Sequence, residues 1–221
     1  MRNKENFNLK EIPLEDIRGV LIDIDNTLYP YQDAHDDAIN STYNLFIKEK
    51  IKDISRSDFR KIYREKRNIV TERLKPQGAC RSRLFAFLDL LEELSIPNSY
   101  LKALEYESHY WDIFISKMDL SPVILDFLKR CKKLKIVTCA VSDMQAHIQI
   151  RKLERLGVLD LIDFLVTSEE VGCEKPDSKV FDLALRKINL GKEDVIMIGD
   201  SLTKDVEAAQ IYGIKGYKFE A

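Results

Sequence analysis

Two aspartates, Asp23 and Asp25, follow the short apolar run of Val20, Leu21 and Ile22. Side chains two positions apart in an extended chain point to the same side, so both carboxylates would lie at one edge of a sheet. Two carboxylates a few ångströms apart raise each other's pKa unless a cation or a shared proton accompanies them. The pair therefore predicts a site that holds a cation or a proton.

Polar residues also follow the other predicted strands. Thr138 lies within KIVTCA, Asp200 lies within GDS with Asp205 further on, and Lys175 opens the helix before the fourth strand. Open parallel sheets gather such residues at the carboxyl ends of their strands. With the first aspartate pair, they supply the carboxylates, the hydroxyl and the lysine that a magnesium-assisted phosphoryl transfer needs.

Mg²⁺ prefers hard oxygen ligands, and it keeps several waters and a substrate phosphate oxygen. Asp23 and Asp200 are suitable donors. A carboxylate beside the metal can also attack phosphorus in line and form an aspartyl-phosphate that water later hydrolyses. Lys175, the Thr138 hydroxyl and the turn amides after Asp23 would neutralise the charge of the transferring group.

The elements that must position these residues alternate between strands and helices. The apolar pattern predicts strands at residues 18–24, 134–140, 164–167, 195–198 and 214–219, and it predicts helices at 144–156, 180–188 and 205–212. Between the first two strands, apolar residues recur at three- and four-residue steps, which predicts about four helices with breaks at 52–57, 75–79 and 95–99. The expected fold class is α/β, an open parallel sheet with one helical insertion.

Four motifs in this order resemble those of haloacid dehalogenase (HAD) superfamily phosphatases, and the resemblance covers nearly the whole chain. They are DIDNT at 23–27, Thr138 after an apolar strand, Lys175 in CEKPDSKVF, and GDSLTKD at 199–205. The resemblance implies a Rossmann-like core domain, residues 1–32 and 118–221, and an all-helical cap domain, residues 33–117. A cap that closes over the site excludes water and completes specificity.

The resemblance also implies a role for each matching residue, with Mg²⁺ as the cofactor. Asp23 would be the nucleophile and a metal ligand, Asp25 the general acid/base whose main-chain carbonyl also binds the metal, Thr138 and Lys175 the phosphate binders, Asp200 a metal ligand, and Asp205 a support for the metal. One position departs from the pattern, because Cys139 follows Thr138 where many phosphatases of this branch carry Asn.

Two arginines in the insertion are candidates for substrate recognition. Arg81 and Arg83 follow Gly78 in PQGACRSR, a loop-to-helix start from which either side chain could reach an anionic group of a substrate. A solvated helix start is the alternative interpretation.

Composition excludes several other classes. Among 221 residues, 45% are apolar, and 35 basic residues nearly balance 37 acidic ones for a net charge of -2, so nothing favours nucleic acid or an anionic membrane as a partner. The four cysteines form no CxxC pair, which argues against a zinc site or a disulfide framework and favours a cytoplasmic location. The N-terminus lacks an apolar secretory segment, and no apolar run reaches the roughly 18 residues that span a bilayer.

These observations favour a Mg²⁺-dependent phosphatase of a small phosphate ester such as a sugar phosphate, a sugar-acid phosphate or a nucleotide. A phosphomutase of the same fold shares the nucleophile and the acid/base, so the motifs leave it open. A dehalogenase needs neither the second aspartate nor the metal, and a phosphonate hydrolase needs a distinctive cap lysine. A phosphoacceptor signalling module or a non-catalytic scaffold would be the different-class alternative, but the long helical insertion and the complete set of motif carboxylates argue against both.

Overall fold

The computed structural model describes residues 6–221, and within them it contains one parallel five-stranded sheet. Its strands are β1 Gly19–Ile22, β2 Val137–Ser142, β3 Phe164–Thr167, β4 Val195–Gly199 and β5 Lys215–Lys218. They lie in the order β3-β2-β1-β4-β5, so the strand that precedes the aspartate pair is central. This sheet confirms the predicted α/β class.

Helices fill the connections between strands. They are α1 Tyr31–Lys48, α2 Arg56–Leu74, α3 Arg83–Glu93, α4 Tyr100–Ser116, α5 Pro122–Lys133, α6 Ala146–Arg155, α7 Ser168–Val171, α8 Ser178–Ile188 and α9 Ala208–Tyr212. The first four form the helical insertion, residues 31–116, and the gaps between them fall at the predicted polar breaks. No helix of the described residues is long and apolar enough to cross a membrane.

Both faces of the sheet are covered, as continuous apolar strands predict. Val20 and Ile22 join a buried cluster on one face, whereas Leu21 joins a second cluster on the other face. The first cluster also contains residues of α5 and α6 and the aromatic side chains of the helical insertion, so the insertion and the sheet share one continuous core. Within it, the rings of Tyr63 and Phe87 lie 5.0 Å apart. The insertion is therefore packed against the sheet domain through a shared core.

The segment after β4 differs from the single helix predicted at 205–212. A π-helical turn, Leu202–Glu207, precedes α9. The Asp205 carboxylate turns back to accept the N–H of Ser201 at 3.0 Å, and the space beside it is so tight that a Cβ on Gly199 would lie 2.4 Å from Asp205 Cγ. This turn directs the carboxylate toward the sheet edge instead of leaving it on a helix surface.

Candidate active site

A cavity of about 360 Å³ lies at the carboxyl edge of the sheet, beneath the helical insertion. Its acidic lining comes from the segments after β1, β2 and β4, namely Asp23, Asp25, Asp143, Asp200 and Asp205. Its basic lining comes from the core and the insertion, namely Lys152, Lys175, Lys204, Arg67, Arg81 and Arg83. The structure therefore brings together all but one of the site residues predicted from the sequence.

Asp23 is the first residue after β1, and it is 6% exposed. Its N–H donates to the carbonyl of Ile198 at 2.9 Å, so the backbone is still held by the neighbouring strand. Its Oδ1 accepts a hydrogen bond from Lys175 Nζ at 2.6 Å, and its Oδ2 accepts one from the Thr27 hydroxyl at 3.3 Å. Burial, together with the nearby Asp205 carboxylate, raises the pKa of Asp23 well above its ordinary value even though Lys175 opposes the shift.

Lys175 connects two carboxylates from different strand ends. Its Nζ donates to Asp23 Oδ1 and to Asp205 Oδ1, both at 2.6 Å, and to the Val141 carbonyl at 2.9 Å. Burial lowers the pKa of this ammonium, but the charges of Asp205 and Asp23 outweigh burial and raise it above its ordinary value. Lys175 therefore stays charged in the floor of the cavity.

Asp200 completes the acidic cluster. Thr27 ties the loops after β1 and β4 together, because its hydroxyl oxygen also accepts the N–H of Asp200 at 3.0 Å. The Asn26 amide lies 3.4 Å from Asp200 Oδ2. Burial and the charge of Asp205 raise the pKa of Asp200.

This cluster fits a divalent cation. Asp23, Asp200 and Asp205 each offer a carboxylate oxygen, and these oxygens lie within 4.8 Å of one another. Within the described part of the chain, Lys175 is the one cation that forms ion pairs with them, so three carboxylates share a single positive charge. Hard oxygen donors with excess negative charge are the ligands that Mg²⁺ prefers.

Asp25 lies in a different environment from Asp23. Lys152 Nζ donates to its Oδ1 at 2.6 Å, Gln149 Nε2 donates to its Oδ2 at 3.1 Å, and the Tyr29 hydroxyl donates to Oδ1 as well. Burial raises the pKa of Asp25, but the charge and hydrogen bond of Lys152 outweigh it, with help from Tyr29 and Gln149, and the net shift is downward. The two aspartates therefore have pKa values pushed in opposite directions: without a bound cation, Asp23 is shifted toward the protonated form and Asp25 toward the ionised form.

Lys152 and Gln149 were not predicted from the sequence. Both lie on α6 and are fully buried. The Lys152 ammonium lies 5.4 Å from the ring centroid of Trp111 in the insertion. A lysine in a helix usually lies on a solvated face. The one sequence signal for the burial of Lys152 is its position, one turn from Gln149 on the otherwise apolar side of α6.

The structure corrects the predicted placement of Thr138. This residue is the second of β2, paired with Val20, and it does not line the cavity. Its hydroxyl donates to the carbonyl of Leu161 at 2.6 Å. The strand continues for four residues beyond it, about 13 Å at the usual rise per residue, and ends at Ser142, which lines the cavity together with Asp143. A polar threonine in an apolar run is easily read as the end of the strand. Here the apolar run continues after Thr138 through Cys-Ala-Val and stops only at Ser142.

Cys139, the position that departs from the family pattern, no longer bears on phosphate binding, because Thr138 beside it does not line the cavity. Cys139 is buried in the cluster on the far face of the sheet. Burial raises the pKa of its thiol to about 12. Cys139 is therefore a protonated packing residue.

The two candidate arginines of the insertion have different hydrogen-bond partners. Arg81 is paired with Glu174 of the core, from Nε to Oε1 at 2.5 Å and from Nη2 to Oε2 at 2.7 Å. Arg83, at the start of α3, is 5% exposed and directs one nitrogen, Nη2, to the Tyr31 hydroxyl. Both line the cavity, but only Arg81 has a carboxylate partner within the described part of the chain.

An ionic network joins the helical insertion to the core beside the cavity. Glu174 accepts hydrogen bonds from Cys80 Sγ at 3.1 Å and Lys204 Nζ at 3.2 Å, in addition to those from Arg81. Lys204 also donates to Asp143 Oδ2 at 2.8 Å. The hydrogen bonds and charge of Arg81, with the Cys80 hydrogen bond and the charge of Lys204, hold the pKa of the Glu174 carboxyl at about 2 even though burial opposes the shift. These contacts fix the loop of the insertion against the loop between α7 and α8, and Lys204 connects that loop to the one after β2.

Comparison with known proteins agrees with this geometry. A family model for haloacid dehalogenase-like hydrolases matches residues 17–213. The ribulose-1,5-bisphosphate 5-phosphatase of Halopiger xanaduensis is 29% identical over 91% of this chain and 84% of its own length. The glyceraldehyde 3-phosphate phosphatase of Methanopyrus kandleri is 30% identical over 90% of this chain and 82% of its own length.

Among solved structures, the HAD-hydrolase YfnB of Bacillus subtilis is similar with a TM-score of 0.67. Its sequence is 20% identical, and the match covers 90% of this chain and 87% of that one. At this identity the likeness concerns the fold alone. The family match over most of the chain, the curated phosphatase relatives and the strand-end carboxylates converge on one assignment. The chain belongs to the haloacid dehalogenase-like hydrolase family, on the branch that contains phosphatases.

Proposed function

We propose that this protein is a Mg²⁺-dependent phosphatase that hydrolyses a small phosphorylated metabolite, a sugar phosphate, a sugar-acid phosphate or a nucleotide, through an aspartyl-phosphate. One observation carries the proposal: Asp23 and Asp25 line a single cavity, yet Lys175 binds the first and Lys152 binds the second. The names of the relatives, phosphatases of a sugar bisphosphate and of a triose phosphate, support this substrate class.

In the first half-reaction, a carboxylate oxygen of Asp23 attacks phosphorus and the bond to the leaving oxygen breaks. Asp25, whose pKa Lys152 lowers in the free protein, becomes protonated when the negative charge of the bound phosphate lies beside it, and it gives this proton to the leaving oxygen. Lys175 holds the attacking carboxylate of Asp23 through its hydrogen bond, and its positive charge offsets the negative charge of the transferring group. Ser142, at the end of β2, takes the phosphate-binding role predicted for Thr138.

In the second half-reaction, water attacks phosphorus and the bond to Asp23 breaks. Asp25 takes the proton of this water, which restores the proton that it gave to the leaving group. Lys152 and Gln149 hold the Asp25 carboxylate in place for both transfers, since they fix both of its oxygens.

Mg²⁺ would be held by the carboxylates of Asp23 and Asp200. Asp205 would support them, and the main-chain carbonyl of Asp25 would be a further donor. The bound cation supplies positive charge that offsets the repulsion between the Asp23 carboxylate and a phosphate dianion. We further propose that residues 33–117 act as a cap domain over a core of residues 1–32 and 118–221, whose first five residues lie outside the described ones.

The test is a screen of phosphorylated metabolites with purified protein, with inorganic phosphate measured as the product. We expect multiple turnover that is lost in Asp23→Asn and after removal of divalent metal with EDTA. The exposed Asp53 provides a matched control, and Asp53→Asn should retain full activity. Turnover that survives Asp23→Asn, or an isomer formed without inorganic phosphate, would contradict the proposal.

A further inference from the structure

Arg83 is a buried cation in the wall of the cavity, and no carboxylate among residues 6–221 forms an ion pair with it, although the charge of Glu107 acts on it from a greater distance. Its side chain is 5% exposed, and its Nε and Nη1 have no hydrogen-bond partner. Its remaining nitrogen, Nη2, meets a neutral group, the Tyr31 hydroxyl. The guanidinium carbon lies 5.5 Å from the ring centroids of Tyr110 and Trp111, which position it but carry no formal charge. A buried charge in such surroundings is costly unless an anion accompanies it.

Four other cations that line the cavity, two of them buried, are already paired with carboxylates. Lys175 contacts two aspartates, Lys152 contacts Asp25, and Lys204 and Arg81 both contact Glu174. Only Arg83 and its neighbour Arg67 lack a carboxylate partner among residues 6–221 of this lining.

Arg67 extends the unpaired positive charge. Its Nη1 donates to the Cys80 carbonyl at 2.9 Å, but its Nε is buried without a partner. Arg67, Arg83 and Tyr31 also line a second cavity on the outer side, so the two arginines form a wall between the spaces. The cavity thus has, on the side of the insertion, a wall with two arginines that each carry a buried nitrogen without a hydrogen-bond partner.

We infer that Arg83, assisted by Arg67, binds a second anionic group of the substrate while the phosphate ester to be cleaved lies at Asp23. The substrate is then a doubly anionic small molecule, a sugar bisphosphate or a phosphorylated sugar acid. Phosphate and carboxylate share the chemistry that matters here, because a guanidinium offers parallel N–H donors to two oxygens of either group. This inference rests on the proposed function and narrows its substrate.

Matched substrates test the inference. The first pair is a ketopentose 1,5-bisphosphate against its 5-phosphate, and the second is 3-phosphoglycerate against glycerol 3-phosphate. Because a charge-assisted hydrogen bond contributes roughly 10- to 100-fold, we expect kcat/KM to favour the doubly anionic member of one pair by that factor. If the preference appears in the first pair, the second anion is a phosphate; if it appears in the second pair, the second anion is a carboxylate.

Arg83→Gln should abolish this preference by raising KM for the doubly anionic substrate alone, and Arg83→Lys should restore part of it. Arg73, an exposed arginine on the same helix as Arg67, supplies the control for a lost surface charge, and Arg73→Gln should keep the preference. An equal loss on both members of a pair would indicate a structural role only. Absence of preference in the unmodified protein, or its persistence in Arg83→Gln, would overturn the inference.

A binding measurement separates this inference from the proposed function. Calorimetric titration of Asp23→Asn protein with the ketopentose bisphosphate and with 3-phosphoglycerate needs no turnover. We expect Arg83→Gln in that background to weaken the Kd of the tighter ligand by roughly 10- to 100-fold. Unchanged Kd values, or no binding of either ligand, would refute the anion site, whereas tight binding without hydrolysis of any ester by the unmodified protein would refute only the phosphatase.

Discussion

Replacement of Lys175 by methionine should destabilise the metal-free protein by about 3–5 kcal/mol, the usual cost of removing one partner from a buried ion pair. The Lys175 side chain is 2% exposed, and its ammonium bonds to Asp23, Asp205 and the Val141 carbonyl. Methionine fills nearly the same volume, so the packing is kept while two buried carboxylates lose their shared cation. The acidic cluster then carries no neutralising charge from the protein.

Urea unfolding in EDTA at neutral pH, followed by circular dichroism, measures this loss. Lys187 is a matched control, because its Nζ also contacts a backbone carbonyl, at 2.6 Å, and a carboxylate, at 2.7 Å, but its side chain is 28% exposed. Lys187→Met should cost less than about 1 kcal/mol, as exposed ion pairs do.

Addition of millimolar Mg²⁺ should stabilise Lys175→Met more than the unmodified protein. A ligand that binds only the folded state stabilises it by mass action, and the variant presents the cation with one more unit of uncompensated negative charge. A loss below about 1 kcal/mol in EDTA, or the same gain from Mg²⁺ in both proteins, would refute the claim that Lys175 neutralises this cluster.

Three further outcomes follow from named contacts. Asp25→Asn should lower kcat for ester hydrolysis by about 10²–10⁴-fold and leave the gain in stability from Mg²⁺ intact; loss of both together would contradict its acid/base role. Gly78→Ala would place a Cβ 2.5 Å from the Cα and N of Glu169, so we expect about 1–3 kcal/mol of destabilisation in urea unfolding, and an unchanged midpoint would show that this loop is not held against the core. Burial and the charge of Arg83 lower the pKa of His35 to about 4, so the unfolded state binds more protons between pH 6.5 and 4. Stability should therefore fall as the pH drops through that range, by at most about 3 kcal/mol, and His35→Gln should show a shallower fall in unfolding titrations.

Local sequence patterns predicted most of the fold correctly. Apolar runs identified each of the five strands, and the three- and four-residue periodicity identified the four helices of the insertion with their breaks. The errors were at boundaries, where packing decides. Thr138 was taken for a strand end because the pattern cannot show that its hydroxyl is satisfied by the distant carbonyl of Leu161, which allows a polar side chain to lie inside a buried strand.

The carboxylates of the site could be predicted because chain direction alone places them. In a parallel sheet, residues that follow β1 and β4 must meet at one edge, so Asp23 and Asp200 could be located without coordinates. Lys152 and Gln149 could not be predicted, because a helical lysine is buried only if another segment covers it. Here Trp111 and its aromatic neighbours from the insertion do so.

The order of the elements and the chemistry at the strand ends follow from local patterns, since both depend on residues close together in the chain. Which cation pairs with which carboxylate depends instead on the packing of distant segments. Lys175 meets Asp23 across 152 positions and Lys152 meets Asp25 across 127, and no local pattern reports contacts at that separation. The same packing that pairs these lysines leaves Arg83 without an ion pair among the described residues, because electrostatic balance in a buried site depends on which distant segments are brought together.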